Sequence, residues 1–184
     1  MINLVLLHGW GCDSSTWQPL LPSLEKIAQV TALDLPGFGA AQTAGDFSLP
    51  EVLDYLAQRI PDGSVVMGWS LGGMLAVQLA AKFPHKVRAL ITLAANAKFV
   101  ASEDYPSAMP AVVNQEFNAA FASDPLSTLK LFSGLIAQGD SNERQLLKTA
   151  RQKIPAEVSP QWLQALELLR VLDNRAALAN ISQP

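Results

Sequence analysis

Ser70 sits in Gly68-Trp69-Ser70-Leu71-Gly72, a Gly-x-Ser-x-Gly pattern flanked by the apolar runs Val65-Val66-Met67 and Leu75-Ala76-Val77. A serine at a sharp strand-to-helix turn has its hydroxyl forced into the open, and glycines two positions to either side relieve the crowded backbone. The helix that follows adds unpaired N–H groups and the positive end of its dipole. Five-residue patterns of this kind also arise by chance, but here the strand and helix context is the one the motif requires. The chemistry this serves is nucleophilic attack on an acyl carbon, with Ser70 as the candidate catalytic residue. A serine hydroxyl is a poor nucleophile at neutral pH and needs a base, usually an imidazole oriented by a carboxylate.

His8-Gly9-Trp10-Gly11 follows the first apolar run, where loops of an open parallel sheet converge on a site. Its expected contribution is half of an oxyanion hole: the N–H of Trp10 and that of Leu71 would face the same developing negative charge. One such donor is worth about 3 to 4 kcal/mol of transition-state stabilisation.

Only two histidines are present, and neither suits Ser70. At the position of His8, an imidazole more often holds a loop by hydrogen bonds than acts as a base. His85 lies beyond the helix that Ser70 opens, about 20 Å away at 1.5 Å per residue, outside the reach of a general base. Carboxylates are equally scarce. Asp34 falls in a Pro-Gly turn, where aspartate commonly fixes the backbone, and Asp104 comes well after the fourth strand. Cys12, an alternative nucleophile, has no surrounding motif and is expected to be a small loop residue.

The elements that must position these groups follow from periodicity. Ile2 to Leu7 is a continuous apolar run stopped by His8-Gly9, as in a strand buried on both faces. Trp17 to Ala28 carries apolar residues at near-helical spacing, with Pro19 and Pro22 early. Strands are expected at Val30 to Leu33, Ser64 to Met67 and Val87 to Leu93. A helix is expected from Pro50 to Ile60, with Ser48 as its cap and Glu51 completing a capping box. This alternation predicts an α/β fold, a parallel sheet wrapped on both faces. From Ala111 to Ala179 the pattern is helical throughout, broken at Asp124-Pro125, Gly139-Asp140, Pro155 and Pro160. The expected organisation is a core over residues 1–110 and a helical lid over 111–179.

With 49% apolar and 16% charged residues in 184, the chain should fold around one sizeable core. A net charge of −3 gives no general reason to expect nucleic acid or anionic membrane as partners. The single cysteine rules out an intrachain disulfide, and no zinc-type cluster, other metal site or cofactor motif is present. The first apolar run lacks a basic leader and is too short to span a bilayer, so a soluble, cytoplasmic protein is expected.

Leu6-Leu-His-Gly-Trp-Gly11, Leu33-Asp-Leu-Pro-Gly-Phe-Gly39, Gly68-Trp-Ser-Leu-Gly-Gly73 and Val87-Arg-Ala-Leu90 together resemble the α/β-hydrolase fold. Within it the chain is similar to the pimeloyl-acyl carrier protein methyl ester esterases of biotin synthesis. The resemblance covers nearly the whole chain, implies that residues 180–184 lead into a further strand, and implies hydrolysis of a methyl ester on an acyl group carried by acyl carrier protein. It implies that Trp10, Ser70, Leu71 and the stretch from Phe132 line the acyl site; Phe132 also fits a plain core aromatic of a lid helix. Arg144, Lys148 and Arg151 fall at i, i+4 and i+7, on one helical face. Most such faces are merely solvated. An acidic carrier is nevertheless the partner that the resemblance implies for this one.

In that family the acid and the histidine follow later strands, and this sequence carries neither. Three expectations stand beside one another: a serine esterase whose C-terminal part is missing from this sequence, a hydrolase completed by another polypeptide, and a binding module without turnover. A small free ester is the alternative substrate. The sheet is expected to be incomplete, leaving Val87 to Leu93 as an apolar edge that invites self-association.

Overall fold

The computed structural model describes residues 1–41 and 45–184. Four parallel strands form its sheet: β1 (Ile2–Leu7), β2 (Ala28–Leu33), β3 (Ser64–Trp69) and β4 (Val87–Leu93), in the order β2-β1-β3-β4. β1 runs in register with β2 from Ile2↔Ala28 to Leu7↔Leu33, and with β3 from Leu4↔Val65 to Leu7↔Gly68. The chain therefore builds outward from β1 to β2, then crosses back to lay down β3 and β4. This reversal leaves a crevice beyond the carboxyl ends of β1 and β3, where open parallel sheets bind ligands.

The unbroken apolar run of β1 is explained by burial on both faces. Val5 and Leu7 enter the main core with Val66, against α2 (Leu49–Arg59) and α3 (Leu71–Lys82). Leu4 and Leu6 enter a smaller cluster with Trp17 and Ala28. α2 buries Val52, Leu53, Leu56 and Ala57, an i, i+3/i+4 stripe. Nearly all of α3 is buried, so it is apolar all round.

One expectation, about the first crossover, is corrected. The segment from Trp17 to Ala28 is not one helix: it forms a 3₁₀ turn, Ser14–Trp17, and a single α-turn, α1 (Leu21–Leu24), before β2 begins at Ala28. Pro19 and Pro22 remove backbone donors there, and Leu20 and Ile27 are exposed, so no continuous apolar stripe is buried. These short pieces are what cover the second sheet face among the described residues. Val65, Met67 and Trp69 are half-buried, and their β4 neighbours Ile91 and Leu93 are 38% and 39% exposed. A smaller difference concerns α2, where Ser48 occupies the cap position but its side chain makes no capping hydrogen bond.

β3 and α3 follow the expected bounds closely, with β3 continuing through Trp69, and β4 occupies the expected residues. Beyond β4 the chain is helical: α4 (Ala111–Ser123), α5 (Pro125–Ala137), α6 (Glu143–Gln152), α7 (Pro160–Val171) and α8 (Arg175–Asn180). Phe121 of α4, Leu129 of α5 and Trp162, Ala165, Leu166 and Leu169 of α7 join the main core with the sheet residues. Asn174, fully buried between α7 and α8, donates to the Met74 carbonyl at 3.1 Å and accepts from Gln78, fastening this region to α3. At the far end, Leu90 N–H of β4 donates to the Pro184 carbonyl at 2.9 Å. No helix among the described residues is long and apolar enough to cross a membrane.

Candidate active site

Ser70 joins β3 to α3 with φ 52° and ψ −119°. Positive φ is unfavourable for a residue with a Cβ and costs on the order of 1–3 kcal/mol, so the surroundings must impose it. Ser70 N–H donates to the Leu93 carbonyl at 2.9 Å, and the Ser70 carbonyl accepts from Met74 N–H at 3.0 Å. The glycines allow the close packing that closes the turn. A Cβ on Gly68 would lie 2.5 Å from Gly73 N, and one on Gly72 would lie 2.5 Å from the His8 carbonyl oxygen. The sharp turn thus rests directly on the end of β1, and the Ser70 side chain is half-buried rather than sealed.

The loop after β1 closes on the same spot. A Cβ on Gly9 would lie 3.2 Å from Ser70 Cβ, so only a small residue lets this loop approach the serine. His8 is fully buried, with Nδ1 2.8 Å from the Gly9 carbonyl and Nε2 3.0 Å from Leu35 N. The amide of Leu35 can only donate, which assigns the proton to Nδ1 and leaves Nε2 as acceptor. Burial lowers the His8 pKa below the ordinary histidine value, against the opposing effect of its contact with Gly9. His8 is therefore a neutral brace between the loops after β1 and β2, with both nitrogens engaged.

Trp10 is buried against α4, α5 and α7. Its indole N–H donates to the Trp162 carbonyl at 2.8 Å, and its ring meets Phe121 and Phe132 edge-on, each at 5.1 Å between centroids. Trp162 in turn donates its indole N–H to the Gly37 carbonyl at 2.9 Å and stacks on Phe38 at 4.6 Å. Each aromatic pair adds about 0.5–1.5 kcal/mol beyond burial. Sequence periodicity did not mark Trp162 or Asn174, because their partners lie far away along the chain.

The remaining candidate acids and bases are committed elsewhere. Burial alone would raise the Asp34 pKa, but N–H donation from Ala40 and Ser14 outweighs it and holds the carboxyl below its ordinary value. Asp34 thus fixes its turn. Asp104 bonds Ser102 and Arg175, which hold its carboxyl down to about 2, in a surface network with Lys98 and Asp173. His85 is exposed and precedes β4, at the amino ends of the strands, whereas Ser70 follows the carboxyl end of β3. Burial pushes the Cys12 thiol up to about 11, leaving almost no thiolate at neutral pH. Among the described residues no cluster of His, Cys, Asp and Glu could hold a metal ion.

A cleft of about 1380 Å³ opens beside this turn, between the loops after β1 and β2 and the α5–α6 hairpin. Trp69 and Phe132 contribute to its wall, whereas Ser70, Leu71 and Trp10 do not. Phe132 also covers the loop after β1, since a Cβ on Gly11 would lie 3.1 Å from its ring. The structure thus gathers Ser70, the Gly9–Trp10 loop and Phe132 at the carboxyl ends of β1 and β3. Leu71 opens α3, where a helix leaves its first N–H groups without intrahelical acceptors. Arg144, Lys148 and Arg151 are all exposed on α6, away from the cluster around Trp10.

A family model described as the alpha/beta hydrolase fold matches residues 2–167. The chain is 55% identical over 181 residues to a biotin biosynthesis bifunctional protein BioHC of Cellvibrio japonicus, covering 98% of this chain and 36% of that protein. It is 36% identical to a pimeloyl-[acyl-carrier protein] methyl ester esterase of Aeromonas hydrophila, covering 99% of this chain and 73% of that one. The chain thus spans about a third of the bifunctional relative. Among solved structures, an esterase from Exiguobacterium antarcticum superposes with a TM-score of 0.87 at 21% identity, covering all of this chain and 71% of that one. The strained serine turn on a parallel sheet, the match over residues 2–167 and the similarity to the Aeromonas esterase agree: the chain belongs to the α/β-hydrolase fold family.

Proposed function

We propose that this chain carries the nucleophile half of a serine carboxylesterase that hydrolyses the methyl ester of a pimeloyl group held on acyl carrier protein, in biotin synthesis. The observation that supports it most is the strained Ser70 turn with the Gly9 loop packed against it, in a chain similar to an esterase of that name. Ser70 Oγ attacks the ester carbonyl and gives its proton to a base. Methanol departs with that proton, and water later releases the free acid from the acyl-serine. Backbone N–H groups of Leu71 and Trp10 receive the oxyanion, and Phe132 with Trp10, Ser70 and Leu71 borders the acyl group. The base must come from outside residues 1–184, because His8 is locked between two backbone groups and His85 is at the opposite end of the sheet.

Arg144, Lys148 and Arg151 receive the acidic carrier. A cytoplasmic site of action fits a carrier-linked substrate and a lone cysteine. Beyond the Leu90 bond to Pro184, the partly exposed Ile91 and Leu93 at the β4 edge support pairing between two copies of the chain.

The absence of an imidazole beside Ser70 favours a second reading, a module that binds the acyl carrier without turnover. A fluorophosphonate probe and a chromogenic ester distinguish the two. Under the first reading Ser70 labels and hydrolyses ester once the base is supplied by a longer polypeptide or a partner, and Ser70→Ala abolishes both. If such a completed enzyme leaves the ester intact, the esterase reading is wrong.

A further inference from the structure

α5 and α6 form a hairpin that roofs the cleft, and the two helices present different chemistry above and below it. Leu129, Phe132, Ser133, Ile136 and Ala137 of α5 face the cleft, as do Leu146, Thr149 and Ala150 of α6. At about 100° per residue, Leu131 and Leu135 of α5 fall on the side turned away from it. The same construction turns Arg144, Lys148 and Arg151 of α6 outward. Leu131 and Leu135 are 74% and 62% exposed, an i, i+4 pair that nothing among the described residues covers. The acids nearest the basic face are spent on the hairpin turn, where Glu143 accepts from Gly139 N–H and Asp140 from Asn142 N–H.

We infer that Leu131 and Leu135 form the apolar half of the carrier-docking surface, meeting an amphipathic helix of the acidic carrier whose charged face lies along Arg144, Lys148 and Arg151. The inference rests on the carrier-linked reading of the substrate and adds to it a division of labour. The basic face steers the partner and supplies the salt-sensitive part of binding. The leucine pair supplies the part that salt does not screen, since burial of apolar surface is not a Coulombic effect.

The test measures binding of the 184-residue chain to an acidic acyl carrier protein loaded with a pimeloyl methyl ester through a non-hydrolysable amide, across a salt series. Leu131→Gln with Leu135→Gln should weaken binding by about tenfold at every salt concentration and leave the salt slope unchanged. Arg144→Glu with Lys148→Glu should weaken it mainly at low salt and flatten the slope. Both leucines are exposed, so the double variant should unfold at the same temperature as the parent. Wild-type affinity in the leucine variant, with loss in the charge variant, overturns the inference and leaves the carrier reading standing. Failure of the parent chain to prefer the carrier over an unrelated acidic protein overturns both. Sedimentation showing a dimer that the leucine variant abolishes would make the pair a contact between copies, and also overturns it.

Discussion

The Trp10 indole donates its N–H to the backbone carbonyl of Trp162 at 2.8 Å, a hydrogen bond between residues 152 positions apart. It ties the loop that faces Ser70 to α7, and Trp162 passes the tie on to the loop after β2 through Gly37. Trp10→Phe keeps most of the ring packing but removes this bond, leaving the Trp162 carbonyl only its place in the α7 hydrogen-bond ladder. The expected loss is about 0.5–1.5 kcal/mol of folding stability, the net contribution of one hydrogen bond. Urea unfolding with an unchanged m-value checks it; a midpoint equal to that of the parent would show that the bond contributes nothing net.

Ser70 holds φ 52° against its own Cβ. Ser70→Gly removes that strain, partly offset by the greater freedom of glycine in the unfolded chain, and should stabilise by about 1 kcal/mol. Ser70→Ala keeps the Cβ and should gain little. Both variants lose labelling by a fluorophosphonate, so stability separates what activity alone would not.

His8 gives the fold a signed pH dependence. Its folded-state pKa lies below the ordinary histidine value because of burial, so the unfolded chain binds the proton more readily. The contribution is complete above about pH 6.5 and is lost progressively as pH falls below it. Asp34, held low by its N–H donors, adds its own loss in the more acid range below about pH 4. Thermal stability should therefore fall between pH 7 and pH 5 in the parent, and His8→Gln should flatten that slope while lowering stability throughout. An identical slope in both proteins would remove His8 as its source.

Cys12 lines the cleft, yet burial raises its thiol to about 11. Alkylation at pH 8 should run on the order of 100-fold slower than for a free thiol, because so little thiolate is present. Denaturant should restore the ordinary rate. Rapid native-state reaction, measured by intact mass, would contradict the shift.

Much of this architecture was legible in the residues themselves. β4 and α3 are visible as an apolar run and an apolar helix bounded by turn residues, and Gly68, Ser70 and Gly72 announce a turn that only small flanking residues permit. The segment from Trp17 to Ala28 was misjudged because apolar spacing alone ignores whether a surface exists to bury it. Pro19 and Pro22 cut its hydrogen bonding, and only Trp17 and a few neighbours find the sheet. An apolar strand shows that it can be buried, not what lies over it.

The sequence by itself determined the order of strands and helices, the identity of the candidate nucleophile and the lack of a usable imidazole within the chain. These are local matters of periodicity, backbone conformation and residue count. Tertiary structure decided the rest: that His8 is a brace, that Asp34 serves its own turn, that Trp10 is buried under α4, α5 and α7, and that the large cleft lies beside Ser70. Each depends on a contact such as Leu35 N–H with His8 Nε2, which exists only after strands β1 and β2 pair and bring distant residues together. Local pattern encodes which surfaces seek burial, whereas packing alone settles which partner each polar group finds.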